Sequence, residues 1–482
     1  MGVLSNIEPK EVFEFFEQIS NVPRRTFRND AIGDFCVQFA IDRGLEYVRD
    51  EVGNVVIYKK GTPGYEDSEP VILQGHMDMV ANKVPGTDHD FDKDPLELFV
   101  DGNFVGARNT TLGADDGIAL AYIMAILDSD DIPHPPIEAV FTVDEEIGMG
   151  GADAFDASMI SGKKYFNIDG EEDGILTVGC AGGAVVDVKI PVNRRERNGV
   201  KVTIKAENYL GGHSGNDIQK YRGNAHKDMG RLLYALSKKI DFSMLAVDGG
   251  GAANVIAQDC TAEVVMSADR AESFIARMNE FVDTLRNEYG DSEPDFTITA
   301  EVGEEDTYSV FNWECTINMI WFLYGAIDGV QTMDRKIEGA VESSLNTGII
   351  STRENSVLGR YQERSSIESK RDEMVQRLGL WAEIVGGHIK VDSSYPAWPY
   401  NPDSELRPLM IDVYKKMYGK EPIVNMVHGG LEGGIMMGKN PELDIVSFGP
   451  NIFNVHTPSE RLDIQSTQKY WEYLKAVLAE CK

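Results

Sequence analysis

Hydrophobic positions along the first 180 residues alternate between two rhythms. Val12, Phe13, Phe15, Phe16 and Ile19 keep the spacing of an amphipathic helix, entered at Glu8-Pro9-Lys10 with proline in its first turn. Ile32, Phe35, Cys36, Phe39 and Ala40 predict a second helix over 29–43, and strands are predicted over 46–48 and 54–58. The stretches 71–73, 139–143 and 165–168 are short, nearly continuous apolar runs, the pattern of strands buried on both faces of a mainly parallel sheet. Each runs straight into a histidine or a carboxylate. Between Gly117 and Asp128 the apolar positions predict a helix packed on that sheet, with Asp115 at its N-terminal entrance.

The pattern then changes. Strands near 200–205, 244–247, 253–266 and 296–302, with helices near 217–239 and 272–289, read as an α+β unit, and a similar run follows. That second run has helices over 315–327 and 367–385 and strands over 342–351, 356–362 and 388–392. The proline-bearing stretch 395–402 marks a return crossing, followed by a helix over 404–418, a strand over 445–448 and a closing helix over 466–479. The expected fold class is therefore α/β: a first domain of residues 1–183 and 394–482 with a mainly parallel central sheet, interrupted by an inserted α+β domain, 184–393, of two related halves.

Composition narrows the function classes. A chain of 482 residues exceeds what one core usually serves. A net charge of −33 argues against a nucleic-acid partner, because phosphate binding needs clustered Lys and Arg. The start of the chain has no basic region leading into an apolar run, and no window has the apolar length of a membrane span, so no membrane partner and a cytoplasmic location are expected. Five scattered cysteines with no Cys-x-x-Cys pair indicate neither a disulfide framework nor a thiolate metal site.

The chemistry lies at the strand ends. His76 and Asp78, Asp115, Glu145 and Glu146, Asp169 and finally His456 supply two imidazoles and several carboxylates, a donor set for a pair of divalent ions. Nitrogen and oxygen donors without thiolate favour zinc, cobalt or manganese over calcium. Two such ions can activate a shared water, and of the adjacent Glu145 and Glu146 one can bind metal while the other moves the proton.

Gly75-His76-Met77-Asp78, Thr111-Leu112-Gly113-Ala114-Asp115-Asp116-Gly117, Asp144-Glu145-Glu146-Ile147-Gly148-Met149-Gly150-Gly151-Ala152, Asn167-Ile168-Asp169 and Val455-His456-Thr457-Pro458-Ser459-Glu460 resemble the motifs of the di-zinc dipeptidases, aminoacyl-histidine dipeptidases in particular. The resemblance spans nearly the whole chain and implies a zinc-peptidase-like catalytic domain with an inserted lid. It makes Asp115 a bridging ligand, with His76 and Asp169 completing one metal site and Glu146 and His456 the other. Glu145 becomes the general base, Asp78 the group that orients His76, and the Asp115-Asp116 peptide is expected to be cis. In the lid, His213 of Gly211-Gly212-His213-Ser214-Gly215 would stabilise the oxyanion, while Asn254, Arg364 and Gly430 would contact the ends of a dipeptide. Asp116 departs from the pattern, since relatives often carry Asn there.

The implied activity is hydrolysis of unblocked dipeptides, Xaa-His among them, with two ions, zinc first and cobalt or manganese as substitutes. An N-acyl amino acid hydrolase or a tripeptidase would use the same ions. A non-catalytic metal-binding protein is the alternative from another class, and a base at Glu145 argues against it. The oligomeric state stays open, a homodimer included, because His213 could serve its own chain or a partner.

Overall fold

The computed structural model describes residues 2–482, so Met1 lies outside the described residues. Contacts divide the chain into two compact units. Unit one runs to Cys180 and resumes over Trp398–Met426 and Leu431–Lys482, and unit two comprises Ala181–Ala397 and Val427–Gly430.

Unit one begins with helices α1 (Lys10–Ser20) and α2 (Asp30–Arg43), followed by strands β1 (Glu46–Arg49), β2 (Val55–Lys59) and β3 (Val71–His76). A hairpin of β4 (Leu98–Asp101) and β5 (Phe104–Ala107) precedes α3 (Ala114–Asp128). Then come β6 (Ile137–Thr142), the short α4 (Gly150–Ala154), β7 (Lys164–Asn167) and β8 (Ile175–Cys180). Every residue of α3 from Ala114 to Leu127 is buried, which fits a helix apolar all round and packed between α1 and β3. Full burial of a side chain such as Ile118 or Leu120 contributes roughly 1.5–3 kcal/mol. Gly75 permits the close approach of α3, for a Cβ there would lie 2.6 Å from that of Ala119.

Unit two contains β9 (Gly182–Pro191), β10 (Arg194–Glu207), α5 (Ala225–Ser237), β11 (Ser243–Asp248), β12 (Cys260–Met266), α6 (Ala268–Tyr289) and β13 (Thr297–Phe311). It continues with α7 (Trp313–Gly325), β14 (Gly329–Met333), β15 (Val341–Thr352), β16 (Ser356–Ser365), α8 (Glu368–Ile384) and β17 (His388–Tyr395). Its strands form two sheets, β11-β12-β10-β13 and β14-β15-β16-β9-β17, the first packed with α5 and α6 and the second with α8. Contacts of α5 with α7 and of β11 with β15 join the halves.

The helix expected over 217–239 starts only at Ala225. Tyr221 takes a left-handed backbone conformation, and the side chain of Asn224 then caps the helix by accepting from the His226 N–H. The strand expected over 253–266 is likewise confined to β12, because 250–257 forms a loop held by side chains.

Back in unit one, α9 (Leu406–Tyr418), β18 (Ile423–Val427), α10 (Glu432–Lys439), β19 (Asp444–Ser447), β20 (Ile452–Phe453), β21 (Arg461–Asp463) and α11 (Ile464–Glu480) complete the chain. The main sheet has the order β1-β2-β6-β3-β7-β19-β8-β18. Its centre, β6-β3-β7-β19, is parallel, and the pairs β1/β2, β2/β6 and β19/β8 toward its margins are antiparallel. The parallel centre sends the residues after β3, β6 and β7 to one edge of the sheet, where open α/β folds collect ligands. Among the described residues no helix is long and apolar enough to cross a membrane.

Candidate metal centre

His76 ends β3 and is buried. Its Nε2 lies 2.9 Å from Asp115 Oδ1 and 3.7 Å from Asp169 Oδ1. The other ring nitrogen faces Asp78, at 3.1 Å from the backbone carbonyl and 3.5 Å from the carboxylate. That carboxylate is fully buried and accepts the backbone N–H groups of Glu145 and Glu146, at 3.0 and 3.4 Å. One residue thus contacts the His76 ring and fixes the backbone that carries the two glutamates.

Asp115 sits in the distorted first turn of α3, and the peptide joining it to Asp116 is cis. Its Oδ1 faces His76, and its Oδ2 lies 3.1 Å from His456 Nε2. His456 Nε2 is also 2.9 Å from Glu146 Oε2. One carboxylate therefore spans two imidazoles, an oxygen to each.

Asp116 complicates the assignment, because both His76–Asp116–Asp169 and His76–Asp115–Glu146 bring three ligand atoms within 4.8 Å of one another. Asp116 Oδ2 already accepts the backbone N–H of His76 at 3.2 Å, whereas the Asp115 oxygens meet only imidazoles and the 3.4 Å Glu460-capped backbone is its own N–H. The geometry therefore favours Asp115 as the shared ligand and Asp116 as a support for the strand end.

The charges are held at a cost that a cation would relieve. Burial pushes the Asp116 and Glu145 carboxyls well above the usual range and raises Asp169, with neighbouring carboxylates adding to each shift. For His76, burial works against the charged ring, but hydrogen bonds to the carboxylates of Asp115, Asp169 and Asp78 outweigh it and hold its pKa well above normal. His456 is raised to about 11, chiefly by its contacts with Asp115 and Glu146. Glu146 Oε1 is buried with no hydrogen-bond partner. Imidazole nitrogens, crowded carboxylates and an orphaned oxygen together fit divalent metal ions.

Two supports were not anticipated from sequence. Glu460 is buried, and its carboxylate accepts the backbone N–H groups of Leu112, Gly113 and Ala114 at 2.8–3.1 Å, with Asp115 more distant at 3.4 Å. Arg24 is buried too, and donates to the carbonyls of Met77, Asp78 and Gly113. Glu460 falls within a recognisable motif, whereas Arg24 has no local signature. Asp144 proves to be a turn residue that accepts the Phe27 N–H and the Asn29 side-chain amide. Glu171, two residues past Asp169, has its carboxyl pushed up to about 8 by burial and by the negative charges of Asp115 and Asp169.

The remaining expected site residues lie in unit two. His213 follows Gly212, whose positive φ and closeness to Arg222 leave no room for a side chain. The His213 backbone pairs with Val255, and Ser214 N–H donates to the Asn254 carbonyl at 2.8 Å. Asn346 donates to the carbonyls of Ala253 and Val255, fixing the loop on both sides of the exposed Asn254. Arg364, on β16, donates to the Tyr395 hydroxyl at 2.9 Å and lies 3.4 Å from the Ser214 hydroxyl. Gly430 packs against the Tyr395 ring. His428 lies 2.7 Å from the Ser344 hydroxyl, and its pKa is depressed to about 3 by burial and by Arg364. Tyr395, Ser344 and His428 thus join this cluster beside the residues expected from sequence.

A family model described as peptidase family M20/M25/M40 matches residues 72–480. The chain is 32% identical over 484 residues to the cytosol non-specific dipeptidase of Escherichia coli K12, covering 100% of this chain and 99% of that protein. The crystal structure of aminoacylhistidine dipeptidase from Vibrio alginolyticus matches with a TM-score of 0.94 and 35% identity, over 99% of this chain and 98% of the other. Aminopeptidase PepT from Bacillus cereus shares the fold at 17% identity and a TM-score of 0.56, over 98% of this chain and 99% of that one. With a metal-fitting centre at its strand ends and these full-length likenesses, the chain belongs to peptidase family M20/M25/M40 and is a metal-dependent hydrolase of peptide bonds.

Proposed function

We propose that the protein cleaves unblocked dipeptides, Xaa-His dipeptides among them, with Glu145 as general base. The observation that carries this reading is the Asp115 carboxylate set between two imidazoles, with the half-buried Glu145 beside Glu146 and its backbone N–H held by Asp78, whose carboxylate also faces the His76 ring. His76, Asp115 and Asp169 would hold one divalent ion, and Asp115, Glu146 and His456 the other. Zinc suits these donors best, and cobalt or manganese are substitutes. When bound, the ions supply Lewis-acid polarisation of the scissile carbonyl and lower the pKa of the attacking water.

Glu145 takes the proton of that water and delivers it to the amine nitrogen as the C–N bond breaks. Its raised pKa suits a group that must both accept and return a proton. Asp78 keeps the His76 ring oriented. His213 Nδ1 accepts the Gly215 N–H at 3.2 Å, so the neutral ring carries its proton on Nε2, the donor form needed to stabilise an oxyanion. Arg364 would pair with the C-terminal carboxylate of the dipeptide, with Asn254 and the Gly430 backbone contacting its ends, and Glu171 offers a carboxylate for the free ammonium.

The test is a panel of Xaa-His dipeptides, other dipeptides, tripeptides and N-acetylated amino acids, offered to the zinc-loaded protein. Cleavage of free dipeptides well above the other classes is expected. Turnover confined to tripeptides or to N-acetylated amino acids would replace this reading with the corresponding hydrolase.

A further inference from the structure

Glu432, the first residue of α10, has a side chain turned into the protein rather than toward solvent, and it is completely buried. Its Oε2 accepts from Gln74 Nε2 at 2.6 Å and from Thr142 Oγ1 at 2.9 Å. Gln74 Nε2 also lies 3.2 Å from Thr142 Oγ1, and Gln74 Oε1 accepts from Asn167 Nδ2 at 2.6 Å. Gln74 lies on β3, Thr142 on β6 and Asn167 on β7, three adjacent parallel strands. Gln74 comes two residues before His76, Thr142 three before Glu145, and Asn167 two before Asp169. A single carboxylate thus gathers, through three side chains, the ends of the three strands that lead into the candidate ligands and the base.

A carboxylate is a poor choice for stability at this point. Glu432 Oε1 is buried with no hydrogen-bond partner, and burial is the main cause that pushes the carboxyl up to about 7. The ordinary role of an acidic residue in the first turn of a helix, facing the backbone N–H groups, does not need an inward side chain. A costly group that is kept where it joins functional segments marks a constraint beyond packing.

We propose that Glu432 is a positioning residue whose hydrogen bonds set the spacing of His76, Glu145, Glu146 and Asp169 by tying the ends of β3, β6 and β7 together. The role rests on the reading of these residues as a metal centre, but not on which peptide is cleaved. Groups bonded directly to a ligand tune metal affinity by about 10–100-fold, and Glu432, which acts on the ligands only through Gln74 and Thr142, is expected at the lower end of that range.

Zinc titration calorimetry on the full-length apo-protein tests it, with Glu432→Ala, Glu432→Gln and Thr142→Val compared with the parent and dipeptide kinetics run in parallel. Glu432→Ala is expected to weaken zinc binding roughly 10-fold and to lower kcat more than it raises KM. Glu432→Gln, which keeps an oxygen acceptor for Gln74 and Thr142, is expected to recover most of that affinity, and Thr142→Val, which removes one tie, to fall between. Parental zinc affinity in Glu432→Ala would overturn the proposal, as would a Glu432→Gln protein as impaired as the alanine variant, since charge rather than hydrogen bonding would then be what matters. If Glu432→Ala does not fold, the Gln and Val variants decide the question alone. A parent protein that binds zinc but cleaves no dipeptide would overturn the substrate assignment and leave this test intact.

Discussion

The two histidines at the metal centre of unit one and three histidines of unit two have opposite electrostatic surroundings. In unit one, His76 and His456 face carboxylates, and their pKa values are raised, His456 to about 11. In unit two, burial depresses His213, His226 and His428, with Arg364 adding to the effect at His213 and His428. One set of rings sits in a cradle that attracts cations, and the other stays neutral, His213 and His428 beside a guanidinium suited to an anion. The same side chain therefore serves contrary purposes in one molecule, and its neighbours rather than its own chemistry decide which.

The largest effect should come from unit one. Glu145→Gln is expected to reduce dipeptide turnover by about 10²–10⁴-fold while zinc content, measured by elemental analysis, stays at the parental level. Loss of zinc along with activity would move Glu145 from base to ligand. Next comes the anion side of the contrast: Arg364→Met should lower kcat/KM by roughly 10–100-fold, mainly through KM, because a charge-assisted hydrogen bond is worth about 1.5–3 kcal/mol. Zinc affinity should not change. A variant with normal KM would show that the guanidinium does not hold the substrate carboxylate.

Zinc binding should also expose the protonation state of unit one. Both imidazoles are raised above 6.5 in the metal-free protein, so at pH 7 they carry protons that a metal must displace. Calorimetry in buffers of different ionisation enthalpy should show release of two or more protons per protein, because the raised Asp169 carboxyl adds to the two imidazoles. Binding without proton release would contradict the carboxylate-dominated environment.

The smallest effect concerns acid stability in unit two. Burial pushes the His226 pKa down to about 4 in the folded protein, below the usual imidazole value of about 6.5. Between those values the unfolded chain binds more protons, so stability falls as pH drops from about 6.5 toward 4. Between pH 7 and 5 the loss is about 2 kcal/mol for this buried ring. Urea unfolding at the two pH values should show that loss in the parent and a flatter response in His226→Leu.

The legible part of the site follows from the sheet. Buried parallel strands appear as unbroken apolar runs, so a polar residue such as His76 or Asp169 at the end of one is conspicuous. The same logic reveals α3, whose apolar residues leave no polar face. Glu460 and Arg24 act instead on backbone N–H and C=O groups, which every sequence carries, so no periodicity announces their targets. The late start of α5 is obscured for a related reason: turn and cap chemistry at Tyr221 and Asn224 interrupts a pattern that otherwise reads as continuous helix.

Glu460 also gives the molecule an order of assembly. It caps a turn made 345 to 348 residues earlier in the chain, and His456 beside it reaches back to Asp115. During synthesis, the turn, the strand ends after β3, β6 and β7 and all of unit two emerge before either residue exists. A nascent chain, or a fragment released before position 456, therefore lacks the second imidazole and the clamp on the Asp115 turn. Such a product would carry His76, Asp115, Glu146 and Asp169 but only half of the paired centre, so competence would wait for the last turn of synthesis.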